Sequence, residues 1–157
     1  LGYIYWRQGD YEKAAETYEK GSQIPGASRF MSLMVASMRI EAGSRATARA
    51  IYRQMLADSE DEAVRITAER HLMELDWLDQ RDAIREVLKV VQEKNGRCVE
   101  RLNEIVPLLL KVQLPEGGDF QIDRSNNLVD PSGSAYLFDR EKCDVTLDLA
   151  NTKVPTQ

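Results

Sequence analysis

His71 is the only histidine in the chain, and Cys98 and Cys143 are its only cysteines. These are the residue types that could supply a nucleophile, a general base or a soft-metal site, and their number limits the chemistry. A nucleophile–base pair would require Cys98 or Cys143 to approach His71. Two thiols and one imidazole fall short of the four ligands of a closed zinc site. The cysteines read as small apolar fillers or free thiols. A bridge between them is left open, because it requires an oxidising compartment. Asp123, Ser125 and Asn127 have the spacing that begins a calcium loop, but Leu128 stands where that loop needs glycine and Ser134 where it needs a bidentate acid. A polar turn is the expected reading. The run Asp58-Ser59-Glu60-Asp61-Glu62 reads as a helix start favoured by the macrodipole. No glycine-rich phosphate loop is present. The expectation is a chain that is not an enzyme, with no cofactor and no metal.

Composition sets the class of protein that must position these residues. Hydrophobic residues make up 43% of the 157 and charged residues 30%, a balance able to bury a core. The net charge of -5 disfavours nucleic acid and a basic membrane-surface face, since both need clustered Lys and Arg. No apolar run reaches the ~20 residues of a membrane span; Ile105 to Leu114 is interrupted by Pro107, Lys111 and Gln113. Leu1-Gly2-Tyr3-Ile4-Tyr5-Trp6 reads as the middle of a helix, which predicts that the sequence starts inside a longer protein.

The chain repeats itself at a separation of 34 residues: Gly9 with Gly43, Ala14 with Ala48, and Tyr18 with Tyr52, while Gly2 falls on Ala36. This predicts helix–turn–helix units. Each glycine ends a helix in the left-handed conformation, and Asp10 and Ser44 cap the next one. Ala14 and Ala48 sit where helices cross closely, and Tyr18 and Tyr52 fill the wider space one turn further on.

Leu1-Gly2, Tyr5, Gly9-Asp10-Tyr11, Ala14 and Tyr18, followed by Gly43, Ala48 and Tyr52, resemble the tetratricopeptide repeat family. The second copy departs from the pattern. Arg39 stands where the first has Tyr5, Ser32 where the family often has Trp, and the family's repeat-end proline is displaced to Pro25 and then replaced by Glu60. The resemblance implies a protein-interaction scaffold that holds a partner peptide or helix in a concave groove. The matching groove positions are Tyr3, Trp6, Arg7, Phe30, Leu33, Ser37, Ile40 and Glu41, mostly apolar with an aromatic end. Some members clamp a terminal carboxylate with Lys and Asn; here the matching sites hold Tyr3, Leu33 and Ser37, which argues against that adaptor role. His71 follows Ser37 by the same separation and would face the groove if the register held, but a surface or capping role is the expected one.

A diverged third unit is expected next. Its first helix is capped at Asp58 or Ser59, with a Ser59–Glu62 capping box, and runs through Val64, Ala68, Leu72 and Leu75. A second helix spans about Gln80 to Lys94 and stops at Asn95-Gly96. A short helix covers Val99 to Val106. From Gln113 the pattern changes: Pro115, Gly117, Gly118, Pro131 and Gly133 punctuate short alternating runs. Strands are predicted near Phe120–Ile122, Leu128–Val129, Ala135–Phe138 and Val145–Leu149, with turns at 125–127, 130–133 and 140–142. The predicted fold is therefore mainly α, an antiparallel helix-hairpin repeat stack with a small C-terminal antiparallel β-hairpin region. The domains are a helical one over 1–112, a β appendage over 113–150 and a flexible tail over 151–157.

Asp130-Pro131-Ser132-Gly133-Ser134-Ala135-Tyr136, after a helix ending in Lys-Asn-Gly, is similar to the C-terminal part of type II secretion pseudopilins. Turn chemistry alone also accounts for it, since Asp-Pro-Ser-Gly makes a good type I turn. This second resemblance implies an alternative role: a structural subunit of a bacterial envelope or secretion assembly, self-associating through its β region. The compartment stays unassigned, because an envelope anchor would lie in an N-terminal segment outside this sequence.

Overall fold

The structure, a computed structural model, describes residues 1–116 and 118–156. Gly117, read above as turn punctuation, and Gln157 of the expected tail lie outside the described residues. The chain divides into two compact units, Leu1–Leu72 and Met73–Gln157.

The first unit is built of antiparallel helix hairpins. Helices α1 (Gly2–Arg7) and α2 (Tyr11–Ser22) form one pair, α3 (Phe30–Glu41) and α4 (Arg45–Asp58) the next, and α2 also packs on α3. Gly9 (φ 74°) and Gly43 (φ 80°) make the left-handed turns that their spacing predicts. The Asp10 carboxylate caps α2 by accepting from the Lys13 backbone N–H at 3.3 Å. Ser44 stands at the matching position but its hydroxyl makes no cap bond. Ala14, Ala36, Ala48 and Tyr52 are all fully buried. Ala14, Ala15 and Met38 form a core against which Tyr5, Tyr11, Tyr18 and Met34 pack. A Cβ on Gly2 would lie 2.8 Å from the Tyr18 ring, so only glycine fits against that phenol without a shift. Arg39, which replaces the first copy's Tyr5, bridges to Glu12 and Glu19 on α2.

The expected third pair is instead a single 34-residue helix, α5 (Glu62–Asn95). No glycine or proline falls between its ends, and Trp77 stands where the repeat would put glycine, so nothing breaks the hydrogen-bond ladder. The predicted capping box is also replaced. The Asp61 carboxylate caps the helix at the Ala63 N–H (3.0 Å), while Ser59 Oγ accepts from the Asp61 N–H.

The second unit begins within α5. Gly96 (φ 70°) ends that helix. The short helix expected from Val99 to Val106 starts later, as a 3-10 turn at Leu102–Ile105 leading into α6 (Val106–Leu109). Strands β1 (Gln121–Ile122) and β2 (Leu128–Val129) pair antiparallel, as do β3 (Leu137–Asp139) and β4 (Asp144–Thr146). Phe138 is opposite Val145 in the second hairpin. Ile84 and Leu88 of α5 share one core with Leu102, Ile105, Leu109, Leu128, Tyr136, Val145 and Val154. The segment read as a tail thus contributes a buried side chain, Val154, and Thr152 Oγ1 donates to Asp130 Oδ2 at 2.5 Å.

Candidate functional site

Helix α1 is short, and its packing against α2 turns Gly2 inward. Tyr3 and Trp6 are left on its outer side, 56% and 42% exposed, with ring centroids 5.4 Å apart. Arg7 is exposed beside them. Phe30 opens α3 at 57% exposure. Leu33, Ser37 and Ile40 follow at helical spacing as half-buried residues, and Glu41 is exposed at the end. Spacings of three and four residues keep these α3 positions on one side of the helix. Ring contact joins Tyr3 and Trp6, and helical register aligns Phe30 through Glu41. Ile4, 53% exposed, adds an apolar side chain to α1 that the family's groove positions pass over. Its signal was its place next to Tyr3 in an unbroken apolar run.

His71 is not among these exposed aromatics. It stacks on Tyr52 with centroids 4.7 Å apart and planes 12° from parallel, half-buried within the first unit. Elsewhere in that unit a cavity of about 290 Å³ has Arg29, Ser32, Gln54 and Asp58 over Ile51, Met55 and Val64. Arg29 Nη1 donates to Ser59 Oγ at 3.3 Å and pairs with Asp61 at 3.5 Å at its rim.

In the second unit the expected free thiols are corrected. Cys98 and Cys143 form a disulfide with Cα atoms 5.7 Å apart. Sequence distance hid this pair, which becomes adjacent only when the β3–β4 turn folds back beside the segment after α5. The calcium-like spacing is a turn. Asp123 Oδ1 accepts from the N–H groups of Ser125 and Asn127, each at 2.8 Å, and Oδ2 from Asn127 Nδ2 at 3.0 Å. These bonds, the Asn127 side chain first, hold the Asp123 carboxyl below the usual aspartate range. Among the described residues no group of three or more His, Cys, Asp or Glu could hold a metal ion. No described helix is long and apolar enough to cross a membrane.

The Asp130 turn is a built polar cluster. Asp130 is buried, and its Oδ1 accepts from Ser132 N–H (2.8 Å), Ser132 Oγ (2.7 Å) and Ser134 N–H (3.1 Å). Ser134 Oγ donates to the Asn151 carbonyl at 2.8 Å. The acid is therefore occupied in holding the turn and the closing residues together. Elsewhere in this unit a shallow, mostly apolar hollow is lined by Trp77, Leu137, Leu147 and Leu149. Leu137 and Leu149 are 50% and 72% exposed there.

Set against protein-family models, curated proteins and solved structures, the chain finds no match.

Proposed function

We propose that the first unit is a non-enzymatic protein-interaction scaffold that binds a partner peptide or helix over α1 and α3. One observation carries this reading: Tyr3, Trp6 and Phe30 stand exposed on helices that bury small residues, Gly2 in α1 and Ala36 in α3, against the rest of the unit. Large aromatics on a rigid frame are efficient anchors, since little else has to be ordered when a partner binds. The resemblance to tetratricopeptide repeats supports the same face. The test is selection of binders from a displayed library of amphipathic peptides, followed by titration. Trp6→Ala and Phe30→Ala should each weaken a selected binder by about 1–3 kcal/mol. Binders indifferent to both substitutions in folded protein would end the proposal.

A second reading, a structural subunit of a bacterial envelope assembly, is favoured by the disulfide and by the exposed Leu137 and Leu149. Sedimentation of the chain at rising concentration separates the two. Self-association supports assembly through the β region, and a monomer that requires a foreign partner supports the scaffold.

A further inference from the structure

The Cys98–Cys143 bridge spans 45 residues of chain and joins the segment after α5 to the end of the β3–β4 turn. Both cysteines pack against the core of the second unit. Cys143 sits at φ 50°, a conformation that side-chain-bearing residues rarely adopt. Besides the local Lys142–Asp139 pair, two ion pairs tie the same turn to other parts of the unit. Arg140 Nη2 donates to Glu100 Oε1 at 2.7 Å, and Arg85 grips Asp144 through Nε at 2.7 Å and Nη2 at 2.8 Å. Their side chains are 60% and 47% exposed for Arg140 and Glu100, and 44% and 32% for Arg85 and Asp144. Pairs exposed to that degree hold weakly and are screened by salt. A covalent link across so long a loop restrains the chain far more strongly.

We infer that this protein completes its folding in an oxidising compartment, where the bridge is the fastening of the β3–β4 turn. This goes beyond the scaffold reading and does not depend on it. Forming the bridge removes two protons and two electrons from the Cys98 and Cys143 thiols. The acceptor is a protein disulfide of the oxidative-folding class, which becomes a dithiol. A reducing cytosol runs the exchange the other way and leaves the turn to the short β3–β4 ladder, buried Val145, the local Asp139–Lys142 bonds and the two exposed ion pairs.

The experiment has two arms. Cells that naturally make the protein are quenched in acid, and free thiols are tagged with a maleimide-polyethylene glycol before and after reduction. The expected result is no adduct before reduction and two after it. Two adducts on most of the protein without reduction overturn the inference. In the second arm, amide exchange is followed in purified protein with and without dithiothreitol. Reduction should speed exchange at residues 139–146 by about tenfold or more while α2 and α4 keep their rates. Unchanged exchange at 139–146 overturns the fastening role.

Discussion

The phenol of Tyr136 donates a 2.6 Å hydrogen bond to the side-chain carbonyl of Gln80, and both residues are buried. Burial, and then the nearby Asp130 carboxylate, push the Tyr136 ionisation well above the usual tyrosine range. The stability that comes from keeping this phenol neutral is complete below the ordinary value of about 10 and is lost as pH rises beyond it. Tyr136→Phe strands the Gln80 carbonyl and should cost about 1–3 kcal/mol at neutral pH. Denaturant midpoints should also fall less steeply above pH ~10 in this variant than in the parent.

The Arg85–Asp144 pair contributes on the acid side. The Arg85 hydrogen bond is the main reason that the Asp144 carboxyl lies below its ordinary range. Its contribution is therefore present above about pH 3.9 and lost as pH falls through the lowered value. Because both side chains reach solvent, Asp144→Asn should cost no more than about 1 kcal/mol. Stability measured from pH ~5 down to ~2 should decline more gently in the variant.

Asp130→Asn keeps one acceptor oxygen but turns an amide toward either Thr152 or the Ser132 and Ser134 donors. A loss of about 1–3 kcal/mol in thermal unfolding is expected. A variant as stable as the parent would show that the turn does not need the second carboxylate oxygen.

Ala14→Leu and Ala48→Leu each force extra methylenes into a closed helix crossing and should cost about 1–3 kcal/mol. Ala50→Leu, on the exposed side of α4, serves as the control and should change stability by less than about 0.5 kcal/mol. Equal melting temperatures for all three would contradict tight crossings at the repeat alanines.

Trp6→Ala and Phe30→Ala remove side chains that are about half in water, 42% and 57% exposed, so folding stability should change by no more than about 1 kcal/mol in either. Calorimetry checks this directly. A larger loss would mean that the rings support the unit itself.

Much of the first unit could be read before the structure, because its signals are local. Gly9 and Gly43 mark backbone conformations that few other residues accept, and the alanines between them mark space too narrow for anything larger. The β turns were legible for the same reason, at Asp130-Pro131-Ser132-Gly133 and around Asn126. The continuity of α5 was not. A separate second helix from about Gln80 is the expected reading, yet no glycine or proline stops the preceding helix. Ser44 shows the converse, a residue of the right type whose hydroxyl does not make the cap bond. The exposed aromatics were named from the family pattern, whereas Ile4 lies outside that pattern and only its exposure brings it forward. The Cys98–Cys143 pairing depends on where the β3–β4 hairpin folds back, which no short window of sequence contains.

Asp130, Ser132 and Thr152 hold one another through their side chains although twenty-two residues separate the first from the last. A change at any of the three alters the surroundings of the other two. Across related sequences these positions should therefore covary, with a substitution at Thr152 tolerated chiefly where Asp130 or Ser132 has changed to match.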